Sequence, residues 1–157
     1  MRTALKLAAF AALLALWAIT AWAIAGPQPL PARIPTHFDI AGQPNGWGTP
    51  AMLWMLPVIA TLIVGLMWLV SLRPGSFSIR AAPAVRRRVE AVSLSMIAWL
   101  QFEISGLFLW IQYAIVESAR SGHSRLSPAV VPVAILTILG TAALHVWAKS
   151  SARRQMR

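Results

Sequence analysis

The chain has 157 residues, of which 58% are hydrophobic and only 11% charged. Ordinary soluble domains carry roughly a quarter charged residues, so a soluble enzyme is a poor fit. The absence of cysteine excludes disulfide frameworks and thiolate metal sites. The net charge of +10 reads as basic residues gathered at the ends of membrane spans rather than as a nucleic-acid surface.

Four apolar windows reach the roughly 20 residues that a spanning helix needs. The first, residues 7–25, is nearly free of polar side chains. Its basic start and the small residues of Ala23-Ile24-Ala25 resemble a signal-peptide cleavage site, but the apolar run is too long for one, so it is expected to stay as an anchor. Residues 26–50 form a dense proline–glycine loop. Pro27, Pro29, Pro31 and Pro35 favour an extended arm. Gly42, Gly46 and Gly48 permit positive φ, and Pro44-Asn45-Gly46 has turn character, so a turn is expected near Gly42–Gly46. Trp47 then delivers the chain back to the membrane.

The second window, residues 51–72, carries Pro57 near its start. A basic loop follows at 73–90, with breaks expected at Pro74-Gly75 and Pro83 and a cluster of Arg86, Arg87 and Arg88. That cluster is a topology determinant with capacity for anionic lipid head groups. The third window, 91–116, contains Gln101, Glu103 and Gln112. Helical spacing sets Glu103 on one face with Trp99, Gly106 and Trp110. Gln101, Ser105 and Gln112 fall on a nearly opposite face, so this span is expected inside the bundle or at an oligomer contact. Gly106 is expected to let a neighbouring helix approach closely. The fourth window, 129–148, begins after Pro128 and ends in a basic tail at 149–157.

If the four spans alternate, eleven basic residues fall on one side and three (Arg33, Arg120, Arg125) on the other. The excess stays cytoplasmic by the positive-inside rule, so both termini are expected inside and the 26–50 loop outside. The expected fold is therefore all-α: an integral membrane four-helix bundle, N-in/C-in, with an ordered extracytoplasmic loop between its first two helices.

The loop concentrates chemistry-bearing residues: Pro35, His37, Phe38, Asp39, Gly42, Asn45, Gly46, Trp47 and Gly48. His37 and Asp39 are two apart, so an extended backbone puts them on one side. With His123 and Glu117 from the other outward segment they are candidates for a His/carboxylate metal site. The simpler reading is that His37 hydrogen-bonds to backbone and holds the loop's shape. There is no His-Glu-x-x-His, no Gly-x-Ser-x-Gly and no phosphate-binding glycine motif on a strand, so no cofactor is expected.

The order Pro31-x-x-Ile34-Pro35-x-His37-Phe38, then Gly42, Pro44-Asn45-Gly46 and Trp47-Gly48, resembles the signature of a bacterial membrane-protein family of unknown function. The same module forms the N-terminal part of Sdp-type immunity membrane proteins. The resemblance covers about residues 10–72 and implies a bacterial cytoplasmic membrane. It divides the chain into a family-like module (1–72), a cytoplasmic loop (73–90), a helical pair (91–148) and a tail (149–157). The expected function is non-enzymatic sensing or binding of an extracytoplasmic peptide or protein through the 30–48 loop, as an immunity or signalling protein would do. The alternatives are a small transporter or transporter subunit using Glu103, and a metal-dependent membrane enzyme using His37, Asp39 and His123. Lipid and a second copy of the chain are the other expected partners.

Overall fold

The computed structural model describes residues 1–73, 82–122 and 127–154, with side chains to residue 151. Four helices dominate: α1 (Arg2–Ala25), α2 (Met55–Ser71), α3 (Pro83–Ser121) and α4 (Val130–Arg154). Each is long and apolar enough to cross a membrane, α2 together with the 3₁₀ turn Pro50–Trp54 that leads into it. The molecule is thus mostly helical, with four candidate spans among the described residues.

It is not all-α. Within residues 26–50 lies a two-stranded antiparallel hairpin, β1 (Ile34–Phe38) and β2 (Pro44–Gly48). The turn therefore sits earlier than Pro44-Asn45-Gly46, which belong to β2. Asp39 makes the difference. Its Oδ1 accepts from the N–H groups of Ala41 (2.9 Å) and Gln43 (2.8 Å). Its backbone N–H donates to the Gln43 carbonyl (2.8 Å), and its carbonyl accepts from Gly42 N–H (2.9 Å). Asp39 and Gln43 pair through their backbones, and Gly42, the last of the three residues between them, takes φ 76°, as the left-handed end of such a turn requires.

The boundaries of α1, α3 and α4 also differ from the hydropathy windows, and for one reason. Hydropathy marks the bilayer, whereas helices continue beyond it where the sequence allows. Pro83 does not break the chain; it is the first residue of α3, where its missing N–H costs nothing. The Arg86–Arg88 cluster therefore rides on helix rather than on a loop, with all three side chains exposed. At 39 residues α3 is about 58 Å long, well beyond the roughly 30 Å hydrocarbon layer. Likewise α4 continues to Arg154, so the tail expected from 149 is largely helix. The expected break at Pro74-Gly75 lies outside the described residues.

α3 is the central element, packed against α1, α2, α4 and β1. Two apolar clusters hold it. Leu13 and Leu16 of α1 meet Ala60 and Val64 of α2, with Ile104 and Phe108 of α3 against them. Nearer the hairpin, Ala23, Ile34, Leu53, Ile115, Val116 and Ala119 close together, with Phe38 packed on the outside. Ile34 is fully buried in this second cluster, so the hairpin is docked onto the helix ends rather than hanging free.

Candidate functional site

The hairpin, not the bundle centre, gathers most of the loop's polar side chains. His37 and Gly46 face each other across the strands. A Cβ at Gly46 would lie 2.8 Å from the His37 Cβ, so the strands approach this closely only because position 46 has no side chain. Of the three glycines that permit positive φ, only Gly42 adopts it; Gly46 is needed for close approach instead. His37 Nδ1–H donates to Asn45 Oδ1 across the hairpin. Its partner is thus a side-chain amide rather than backbone. Ile34 and Pro35 are both buried, whereas His37, Asp39, Asn45 and Trp47 are exposed. Ile40, at the tip, is 93% exposed.

Between the hairpin and the facing ends of α3 and α4 lies a cavity of about 750 Å³. His37, Phe38 and Asp39 form one wall. Ile111 and Ile115 of α3 and Ile135 and Leu136 of α4 form the other. The space is apolar with an imidazole and a carboxylate at one side. This is the composition of a ligand site: a greasy interior and a few polar groups that fix orientation.

The metal candidates are not brought together. His37 is engaged by Asn45, and Asp39 is occupied with its turn. His123 lies outside the described residues, and Glu117 is exposed on the last turns of α3. Among the described residues no group of three His or carboxylate side chains could hold a metal.

The intramembrane polar residues separate onto two faces of α3. Gln112 Nε2 donates to Thr20 Oγ1 (2.7 Å) and to the Leu53 carbonyl (3.2 Å), fastening α1 and the 3₁₀ turn to α3. Gln101 Nε2 donates to the Val64 carbonyl of α2 (3.2 Å). Glu103 turns the other way, where its Oε1 accepts from Thr141 Oγ1 of α4 (2.6 Å). One turn further along α4, His145 Nδ1–H donates to the Thr141 carbonyl (2.8 Å). Gly106 does not mediate a close helix approach, because a Cβ there would meet nothing within 4 Å.

One feature escaped sequence reasoning. The Arg120 guanidinium lies 3.9 Å from the centroid of the Trp22 ring, and its Nε and Nη2 are buried without hydrogen-bond partners. The ring face takes the place of those partners. In the sequence Arg120 stands out only as one of the few basic residues of the minority side.

Residues 9–61 match the profile of a family described as a domain of unknown function (DUF1648). The matched stretch runs from α1 through the hairpin into the first turns of α2. No curated protein and no solved structure matches the chain.

Proposed function

We propose that the chain is a non-enzymatic, multi-pass protein of a bacterial cytoplasmic membrane, with both termini inside and the hairpin outside. In this reading it senses or binds an extracytoplasmic peptide or protein segment, in the manner of immunity or signalling proteins. The observation that carries the reading is the apolar cavity between the docked hairpin and the ends of α3 and α4. An apolar peptide side chain would enter between Phe38 and Ile135. His37 and Asp39 would meet the polar backbone at the cavity wall. Exposed Ile40 would add apolar contact at the rim. The orientation is supported by the eleven-to-three distribution of basic residues.

The test has two arms. A cysteine introduced at Gln43 should react with an impermeant thiol reagent added outside intact cells, and one introduced at Ser151 should not; no native cysteine interferes. In proteoliposomes, a dansyl-labelled apolar peptide added on the hairpin side should bind saturably to the native chain. Replacement of residues 28–46 by a Gly/Ser linker should abolish that binding while the protein still inserts. Undiminished binding by the linker variant would show that the hairpin is only a connector.

A further inference from the structure

A second cavity, of about 240 Å³, lies between α3 and α4 and shares no lining residue with the hairpin cavity. Glu103, Gly106 and Trp110 line it from α3, and Ala134 and Thr137 from α4. Glu103 uses one carboxyl oxygen to accept from Thr141. Its other oxygen, Oε2, is buried and has no partner. A polar atom buried inside a membrane span without a partner is costly, and an ionisable residue there is by default a functional candidate.

We propose that this cavity binds an apolar amine in its protonated form, with the ammonium on Glu103 Oε2 and the apolar body reaching along the Gly106 gap toward Trp110. The chemistry of the lining selects this class. As the carboxylate with which an ammonium would pair, Glu103 offers Oε2 as an acceptor. The Thr137 hydroxyl already donates to the Val133 carbonyl (2.8 Å), so it too can only accept from a ligand. An anion or a ligand without donors would leave Oε2 unpaired, whereas an ammonium supplies both the donor and the opposite charge. The body must be apolar because the remaining walls are Leu107, Val130, Ala134 and Ile138. Trp110 lies seven residues from Glu103, about 10 Å along the helix, and offers an aromatic face to the far end of such a ligand. Gly106, between them, leaves the room, since a side chain there would project into unoccupied space.

Equilibrium dialysis of radiolabelled phenylbutylamine against the full-length protein in detergent micelles, with empty micelles subtracted, tests the assignment. Saturable binding is expected. Phenylbutanol, of the same shape without the charge, should compete at least tenfold more weakly, as loss of a charge-assisted hydrogen bond implies. Glu103→Gln should weaken amine binding by roughly tenfold or more while leaving an acceptor for Thr141. Gly106→Leu fills the gap without touching the carboxyl and should abolish binding. It also decides the matter if Glu103→Gln fails to fold. The linker-substituted hairpin variant should bind the amine normally, which separates this site from the proposed peptide site. Equal competition by the alcohol, native binding by a folded Gly106→Leu, or uptake no greater than that of empty micelles would overturn the proposal.

Discussion

Ile34→Ala probes whether the hairpin is held by docking. Ile34 is fully buried among Ala23, Leu53, Ile115, Val116 and Ala119. The substitution removes three carbons, worth about 2.4 kcal/mol at ~0.8 kcal/mol per buried methylene, and leaves a cavity that brings the cost to about 3 kcal/mol. A two-stranded hairpin alone is marginal in water. The loss should therefore fall on docking of the hairpin rather than on the bundle, and raise the undocked population by roughly 100-fold. Hydrogen exchange in nanodiscs reads this directly. The Asp39 and Gly42 amides, which bond to Gln43 and Asp39 carbonyls, should exchange roughly 100-fold faster. Amides in the middle of α3 should be unaffected. Unchanged protection of the hairpin would refute the docking argument. Equal acceleration in α3 would refute the separation, making hairpin and bundle one cooperative unit.

Gly46→Ala should loosen the same hairpin from within, because its Cβ would sit 2.8 Å from that of His37 and one strand must move. We expect a cost of about 1–3 kcal/mol, typical of overpacking, seen as loss of exchange protection across β1 and β2 with helix content unchanged by circular dichroism. Gln112→Leu should act on the helices instead. It removes the bonds to Thr20 and Leu53, each worth about 0.6 to 1.7 kcal/mol inside a membrane, but also removes an amide oxygen that has no partner. A net loss of about 1 kcal/mol is expected in thermal unfolding in detergent, and it should be non-additive with Thr20→Val. Additive effects would mean that the two side chains do not act through one another.

The sequence disclosed the spans because a bilayer imposes a length of roughly 20 apolar residues, and four windows meet it. It disclosed the two polar faces of the third helix because 3.6-residue periodicity separates Gln101, Ser105 and Gln112 from Glu103 whatever the neighbours are. It did not disclose the hairpin. The strands are only five residues each; β1 buries Ile34 and Pro35 side by side, and β2 alternates in burial but has Trp47 as its only large apolar side chain, so hydropathy offers no period-two pattern to read. The signal that was there, Asp39 three residues before Gly42, is a turn signal that competes with the equally plausible Pro44-Asn45-Gly46. Register chose between them, because only the earlier turn lets Gly46 pass His37 and brings Ile34 to the helix ends. Nor did the start of α3 show, since arginine is a good helix former and the Arg86–Arg88 cluster looks like a loop only to a hydropathy scale.

Partner choice is the part no single sequence could give, and it gives α3 its character. On one face, the amides of Gln101 and Gln112 donate to α2, to Thr20 and to the 3₁₀ turn. Those contacts cross 37 to 92 residues of sequence and fix the helix in place. On the other face, Glu103 spends one oxygen on α4 and keeps one in reserve beside a cavity. Had Glu103 been there only to join α3 to α4, a neutral amide or hydroxyl could make the same bond to Thr141 without placing an ionisable group in the span. A carboxyl with a spare oxygen, a glycine that leaves room and a tryptophan two turns away are more than a helix contact requires. This surplus is what a protonated amine would use on α3, and the more conspicuous hairpin has no counterpart to it.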